Sequence, residues 1–167
     1  MTLLPIHFNS GGIMIEDTEV TIADAARYIL EKCGLMTTMK LQKLCYYSQV
    51  WHCYFVDKPL FQNEYQAWSY GPVSYDLFML HRGKYNVDLE DFAFGSTSHI
   101  SVESKQVIDE VLSKYSQMSG AQLSDLSHTE LPWISTRSSV DSRNTNPVIS
   151  IQLMQKFAAQ VNESSAN

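Results

Sequence analysis

Positive charge is scarce in this sequence: 12 Lys and Arg stand against 18 Asp and Glu, for a net charge of -6. The cations are spread from Arg27 to Lys156 rather than gathered. Such a chain repels phosphate, so nucleic acid is a disfavoured partner. Long apolar runs are missing too, and nothing approaches the roughly 20 residues a membrane helix needs. The opening MTLLPIHFNSGG has neither a basic n-region nor a sustained apolar h-region. The expectation is an unexported, cytoplasmic protein without a membrane partner. Cysteine is limited to three residues without paired spacing, which excludes a disulfide framework and fits a reducing compartment. Walker A, G-x-S-x-G, H-E-x-x-H and G-x-G-x-x-G patterns are all absent, leaving no visible catalytic machinery.

What is present is helical periodicity. A 167-residue chain with 44% hydrophobic residues suits one well-buried core. Thr21 with Asp24 three residues on reads as a capping box opening a stripe of Ile22, Ala25, Ala26, Ile29 and Leu30, and Gly34 supplies the stop. Thr37 or Thr38 caps a second helix to about Val56, apolar on both faces and therefore central. Residues 65–70 alternate as a short strand, broken by Gly71, and Pro72 suits the first turn of a helix carrying Val73, Leu77, Phe78 and Leu80 inward. Residues 86–98 read as a connection. Ser101 opens a helix with Val107, Ile108, Val111, Leu112 and Tyr115 facing the core, and Ser119 caps a shorter one through Leu123 and Leu126. Thr129 and Pro132 suggest a helical turn presenting Trp133. Val148 and Ile149 suit a strand, and Ser150 caps a last helix through Val161. The expected fold is mainly α: a single compact domain of about six helices with a minor short β element. Residues 1–20 read as an extension, with a tail or a short edge strand through Ile13 and Ile15. Residues 21–161 read as the domain and 162–167 as a disordered tail.

The stretch LCYYSQVWHCYF (Leu44–Phe55) raises the possibility of a metal or redox site. Cys45 and His52 share a helix face but stand roughly 10 Å apart along the axis at ~1.5 Å per residue, too far for one tetrahedral zinc. Mid-helix Cys45 and Cys53 lack the helix N-terminus or cation cluster that favours a thiolate. No metal, no cofactor and no catalytic residue is expected. A small hydrolase or metal enzyme using His52, His128 and a cysteine stays as the alternative.

Two features exceed what core building needs. Trp68, Tyr70, Gly71, Pro72, Val73 and Tyr75 set aromatics around a rigid corner, and His128, Thr129, Pro132 and Trp133 form a second polar-aromatic turn. Both turns either pack on the central helix or form an exposed anchor patch for a protein partner, since Trp and Tyr dominate interface hot spots. Candidate partner-binding residues are Trp68, Tyr70, Gly71, Pro72, Val73, Tyr75, His128 and Trp133.

The string KLQKLCYYSQVWHCYFVDKPLFQNEYQAWSYGPVSYDLF resembles the Panacea antitoxin domain, the SocA-like and phage-associated GepA-like family. The matching positions are Lys40, Leu41, Lys43, Leu44, Tyr46, Tyr47, Trp51, His52, Pro59, Leu60, Phe61, Ala67, Trp68, Gly71, Pro72 and Val73. LSDLSHTELPWISTR is similar to the family's second motif, through Leu123, Leu126, His128, Pro132 and Trp133. Cys45 and Cys53 depart from the family's usual apolar or small residues. The resemblance spans about Thr21 to Val161. It implies a mostly helical antitoxin that neutralises a cognate protein toxin by direct binding, the toxin being encoded by an adjacent gene, often on phage or other mobile elements. An adaptor that hands the toxin to a protease is the variant. A homo-oligomer stays open.

Overall fold

The structure, a computed structural model, describes residues 18–141 and 144–166; the strand expected through Ile13 and Ile15 lies outside them. Seven α-helices are present among the described residues: α1 (Ile22–Cys33), α2 (Thr38–Phe55), α3 (Tyr75–His81), α4 (Val102–Tyr115), α5 (Gly120–His128), α6 (Leu131–Ser138) and α7 (Ile151–Ser165). Four short strands pair antiparallel in two ribbons, β1 (Met36–Thr37) with β4 (Asn86–Val87) and β2 (Gln66–Trp68) with β3 (Gly71–Val73). The fold is mainly α, as the periodicity implies.

The helix starts follow from local chemistry. Thr21, Thr37, Ser101, Ser119 and Ser150 each accept a backbone N–H of the first helical turn through their hydroxyl oxygens, satisfying donors that have no partner within the helix. At the start of α1, Thr21 and Asp24 close a reciprocal capping box. Asp24 also reaches across to residues 96–99, accepting the Ser96 amide at 2.7 Å and His99 Nδ1 at 3.1 Å.

α2 is the centre. Each residue from Leu41 to Cys53 is buried, because α1, α4, α5 and α7 all pack around it. Its aromatics build a continuous layer. Tyr47 stacks on Tyr115 of α4 with centroids 4.1 Å apart, and Trp51 Nε1 donates to the Tyr115 hydroxyl at 3.1 Å.

The polar residues of α2 are equally enclosed, and they serve the segment that follows the helix. Gln49 Oε1 accepts the amides of Leu60 and Phe61 at 2.8 and 3.3 Å, while its Nε2 donates to the Phe61 carbonyl at 2.8 Å. Gln42 accepts the Ser74 amide at 3.0 Å and donates to the Ser74 carbonyl at 3.1 Å. His52 Nδ1 donates to the Lys58 carbonyl at 2.8 Å. Residues 57–65 contain no helix or strand, so these side chains stand in for the partners that regular structure would provide.

Three expectations need correction. Pro72 does not open a helix. It sits in the middle of β3 opposite Ala67, a position a two-stranded ribbon tolerates, and Ser74 caps α3 instead. Leu80 is 43% exposed: with α3 starting at Tyr75, the inward pair one turn apart is Leu77 and His81. The connection 86–98 holds β4 and two short 3-10 turns, Leu89–Phe92 and Thr97–His99. In addition, α7 carries on through Asn162–Ser165, a stretch expected as tail; Asn162 donates to the Tyr54 hydroxyl at 3.0 Å. Val148 forms a single bridge to Gln66.

Gln49→Leu should therefore destabilise the protein far more than a surface substitution. It orphans two buried amides and a carbonyl, each costing about 1–3 kcal/mol. A urea-midpoint loss equivalent to about 3 kcal/mol at unchanged m is the expected result. A loss under ~1 kcal/mol would mean that the 58–61 backbone finds other partners.

Candidate protein-binding face

The two aromatic turns singled out in the sequence meet in space. The turn between β2 and β3 lies against α5 and α6, and side chains from those helices take its carbonyls one after another. Arg137 Nη1 donates to Ala67 at 3.0 Å and Trp133 Nε1 to Trp68 at 2.8 Å. His128 Nε2 lies 2.7 Å from the Ser69 carbonyl, and Ser124 Oγ donates to Tyr70 at 2.7 Å. His128 Nδ1 faces the Ser124 carbonyl at 2.6 Å, so each ring nitrogen is set against an acceptor. Trp133 packs edge-on to His128 with centroids 4.4 Å apart.

Behind the hairpin stands Lys43, from α2. It is 1% exposed, and its ammonium donates to the Pro72 carbonyl at 3.1 Å. Gly71 is required where these elements converge. Its φ is +104°, and a Cβ there would lie 2.7 Å from Ser127 Oγ and 3.0 Å from Lys43 Cε, contacts that only glycine avoids.

The eight candidate residues thus divide by placement. Gly71 and Pro72 are buried and shape the corner. His128 and Trp133 are half-buried and tie it to α5 and α6. Trp68 and Val73 are half-buried, whereas Tyr70 and Tyr75 are 73% and 51% exposed. Trp68 packs on Phe78 at 5.4 Å and Tyr75 lies 6.2 Å from the same ring, so the exposed Tyr75 flanks this aromatic pair. Met39, Met79 and Tyr85, 38%, 44% and 78% exposed, are further apolar surface that the sequence reading missed. Their only signal was an apolar residue on the outward side of a helix or next to a strand.

Among the family-motif positions, Leu41, Lys43, Leu44, Trp51, His52 and Phe61 are buried, while Lys40 and Pro59 are half-buried. Lys40 Nζ donates to the Ser116 carbonyl at 2.6 Å.

The alternative chemistry has one suggestive contact. Ser104 Oγ and His52 Nε2 are 2.8 Å apart, the spacing of a nucleophile and its base. Both residues are buried. His52 Nδ1 is committed to a backbone carbonyl, and burial lowers the imidazole pKa. Burial likewise pushes the Cys53 thiol up to about 12 and raises that of Cys45 further, which keeps both protonated and unreactive. Among the described residues no three His, Cys, Asp or Glu side chains gather as metal ligands. No helix among them is long and apolar enough to cross a membrane.

Glu130, at the start of α6, makes the contact between α6 and α2 sensitive to pH. Burial pushes its carboxyl up to about 7, although the Tyr47 hydroxyl donating to it at 2.5 Å and the nearby Lys114 favour the charged form. The folded state then holds the proton more tightly than the unfolded chain does. Stability from this group is complete below the ordinary glutamate range and is lost as pH rises through about 7. Relative to Glu130→Gln, wild type should lose on the order of 3 kcal/mol between pH 4.5 and 8 in thermal melts, at ~1.4 kcal/mol per pKa unit. Glu130→Gln should flatten that slope, and an unchanged slope would contradict the assignment.

Comparison with known proteins adds a family. The family model described as "Antitoxin SocA-like, Panacea domain" matches residues 41–134, more than half of the 167-residue chain. The matched segment runs from the first buried residue of α2, through the β2–β3 ribbon and β4, to the residue after Trp133. α1 and α7 lie outside it. No curated protein and no solved structure matches the chain. The chain belongs to the SocA-like Panacea antitoxin-domain family.

Proposed function

We propose that this protein is an antitoxin that neutralises a cognate protein toxin by binding it directly through the face formed by the β2–β3 corner and α3. The observation that carries the reading is the family match itself, which contains the corner and, Arg137 excepted, the side chains that hold it. Support comes from the shape of the surface. A rigid turn, fixed carbonyl by carbonyl, displays Tyr70 and Tyr75 beside the half-buried Trp68. Aromatic side chains on a pre-organised backbone lose little conformational freedom on binding and form the anchors of interfaces. Binding that occludes the toxin's working surface would neutralise it. Delivery to a protease would need the same contact, so the adaptor variant uses the same face.

The adjacent gene product, expressed alone, should be toxic and should copurify with this protein. Tyr70→Ala should weaken the complex by about 2 kcal/mol, roughly thirtyfold in Kd, without lowering the melting temperature. Trp133→Ala should lower the melting temperature, since its indole is bonded to the Trp68 carbonyl. A harmless neighbour, or toxicity that this protein does not relieve, would sink the proposal.

A further inference from the structure

A cleft of about 570 Å³ opens between the N-terminal part of α2, the β2–β3 ribbon and α3. Its walls include Trp68, Tyr70, Phe78 and the polar group Gln42, Lys43 and His81. A cleft of this size, with mostly apolar walls and a few fixed polar atoms, is typical of a ligand site.

The charge inside it is unusual for this chain. The protein carries 18 acidic residues and a net charge of -6, yet among the described residues no Asp or Glu lines this cleft. Its one charged residue is Lys43, which is 1% exposed. The ammonium has three N–H groups, and among the described residues its one hydrogen-bond acceptor is the Pro72 carbonyl. Among the described residues no carboxylate lies within ion-pair distance of it. Burial lowers its pKa to about 8, which leaves it mainly protonated at neutral pH. Gln42 Nε2 lies 3.1 Å from His81 Nε2 and also donates to the Ser74 carbonyl. That arrangement makes His81 Nε2 an acceptor and the ring neutral, and burial lowers the His81 pKa in the same direction. Among the described residues, the cation in the cleft is therefore Lys43.

A buried, uncompensated ammonium is costly to keep unless something supplies the opposite charge. We infer that the cleft receives an acidic side chain of the protein partner, with the carboxylate on Lys43 and the apolar neighbours of that side chain against Trp68, Tyr70 and Phe78. The inference rests on the toxin-binding reading and names the chemistry of the contact. It also explains how an acidic protein can bind selectively without a basic surface: one desolvated cation at the base of an aromatic cleft discriminates acid from amide, as a carboxamide cannot pair with it.

The test uses the full chain, labelled with ¹⁵N, and the blocked tripeptide acetyl-Leu-Asp-Leu-amide at millimolar concentration, with the Asn analogue as control. The acidic peptide should shift the Trp68 indole and Gln42 side-chain signals, and the Asn analogue should bind roughly tenfold or more weakly. Lys43→Met should abolish the acid preference, since a thioether offers the carboxylate no charge. Tyr70→Ala, at a position 73% exposed, should weaken the response in a folded protein. Equal shifts with both peptides, or no shifts with the acidic one, would overturn the inference. So would a Lys43→Met protein that melts lower and keeps the acid preference, because the lysine would then serve only to hold Pro72. Inorganic phosphate displacing the acidic peptide at equal concentration would also overturn it, in favour of a small-anion site. Toxin capture without acid selectivity would refute this inference and leave the antitoxin reading standing. Acid selectivity without toxin capture would do the reverse.

Discussion

Residues 57–74 run from the end of the central helix to the start of α3 with little regular structure of their own, and their backbone groups must still be satisfied. Side chains from neighbouring helices do this. His52 and Gln49 hold Lys58, Leu60 and Phe61. Arg137, Trp133, His128 and Ser124 take the carbonyls of residues 67–70 in order, and Lys43 and Gln42 hold Pro72 and Ser74. Outside the β2–β3 ribbon, the backbone of this segment is thus held by side chains rather than by regular structure.

That constraint connects the family motif to function. The positions with polar side chains in the motif are those that bind backbone, and the apolar ones fill the layer around Tyr46, Tyr47 and Tyr65. What the scaffold displays is short: two exposed tyrosines, a tryptophan edge and a cleft that no Asp or Glu of the described residues lines. A surface of this kind can change its partner by substituting a few exposed residues, while the buried helix and its hydrogen bonds stay as they are. Helices α1 and α7, outside the family match, complete the packing around α2.

Much of the fold was legible in the sequence. Serine and threonine caps marked five helix starts because capping is a local interaction between residues three apart, and the two-sided apolarity of Leu44–Phe55 placed that helix at the centre. The staples were not legible. Gln42 and Gln49 look like surface residues in one dimension, and only the return of residues 58–74 over α2 reveals their buried partners. Pro72 misled because proline suits both a helix start and an edge ribbon, and local sequence does not separate the two. Both aromatic turns of the candidate face were visible, but not their contact, since the carbonyls that join them carry no side-chain signal. Lys43 read as a motif position. Its isolation from the acids of the described residues is a property of the packed structure alone.

Native-state hydrogen exchange tests most directly the claim that helix side chains, rather than regular structure, hold this segment. The amides of Leu60, Phe61 and Ser74 should exchange with an opening free energy close to that of the α2 amides around Ser48, opening only when the whole domain unfolds. Exchange of those three amides through a local opening, at a small fraction of the global stability, would contradict it.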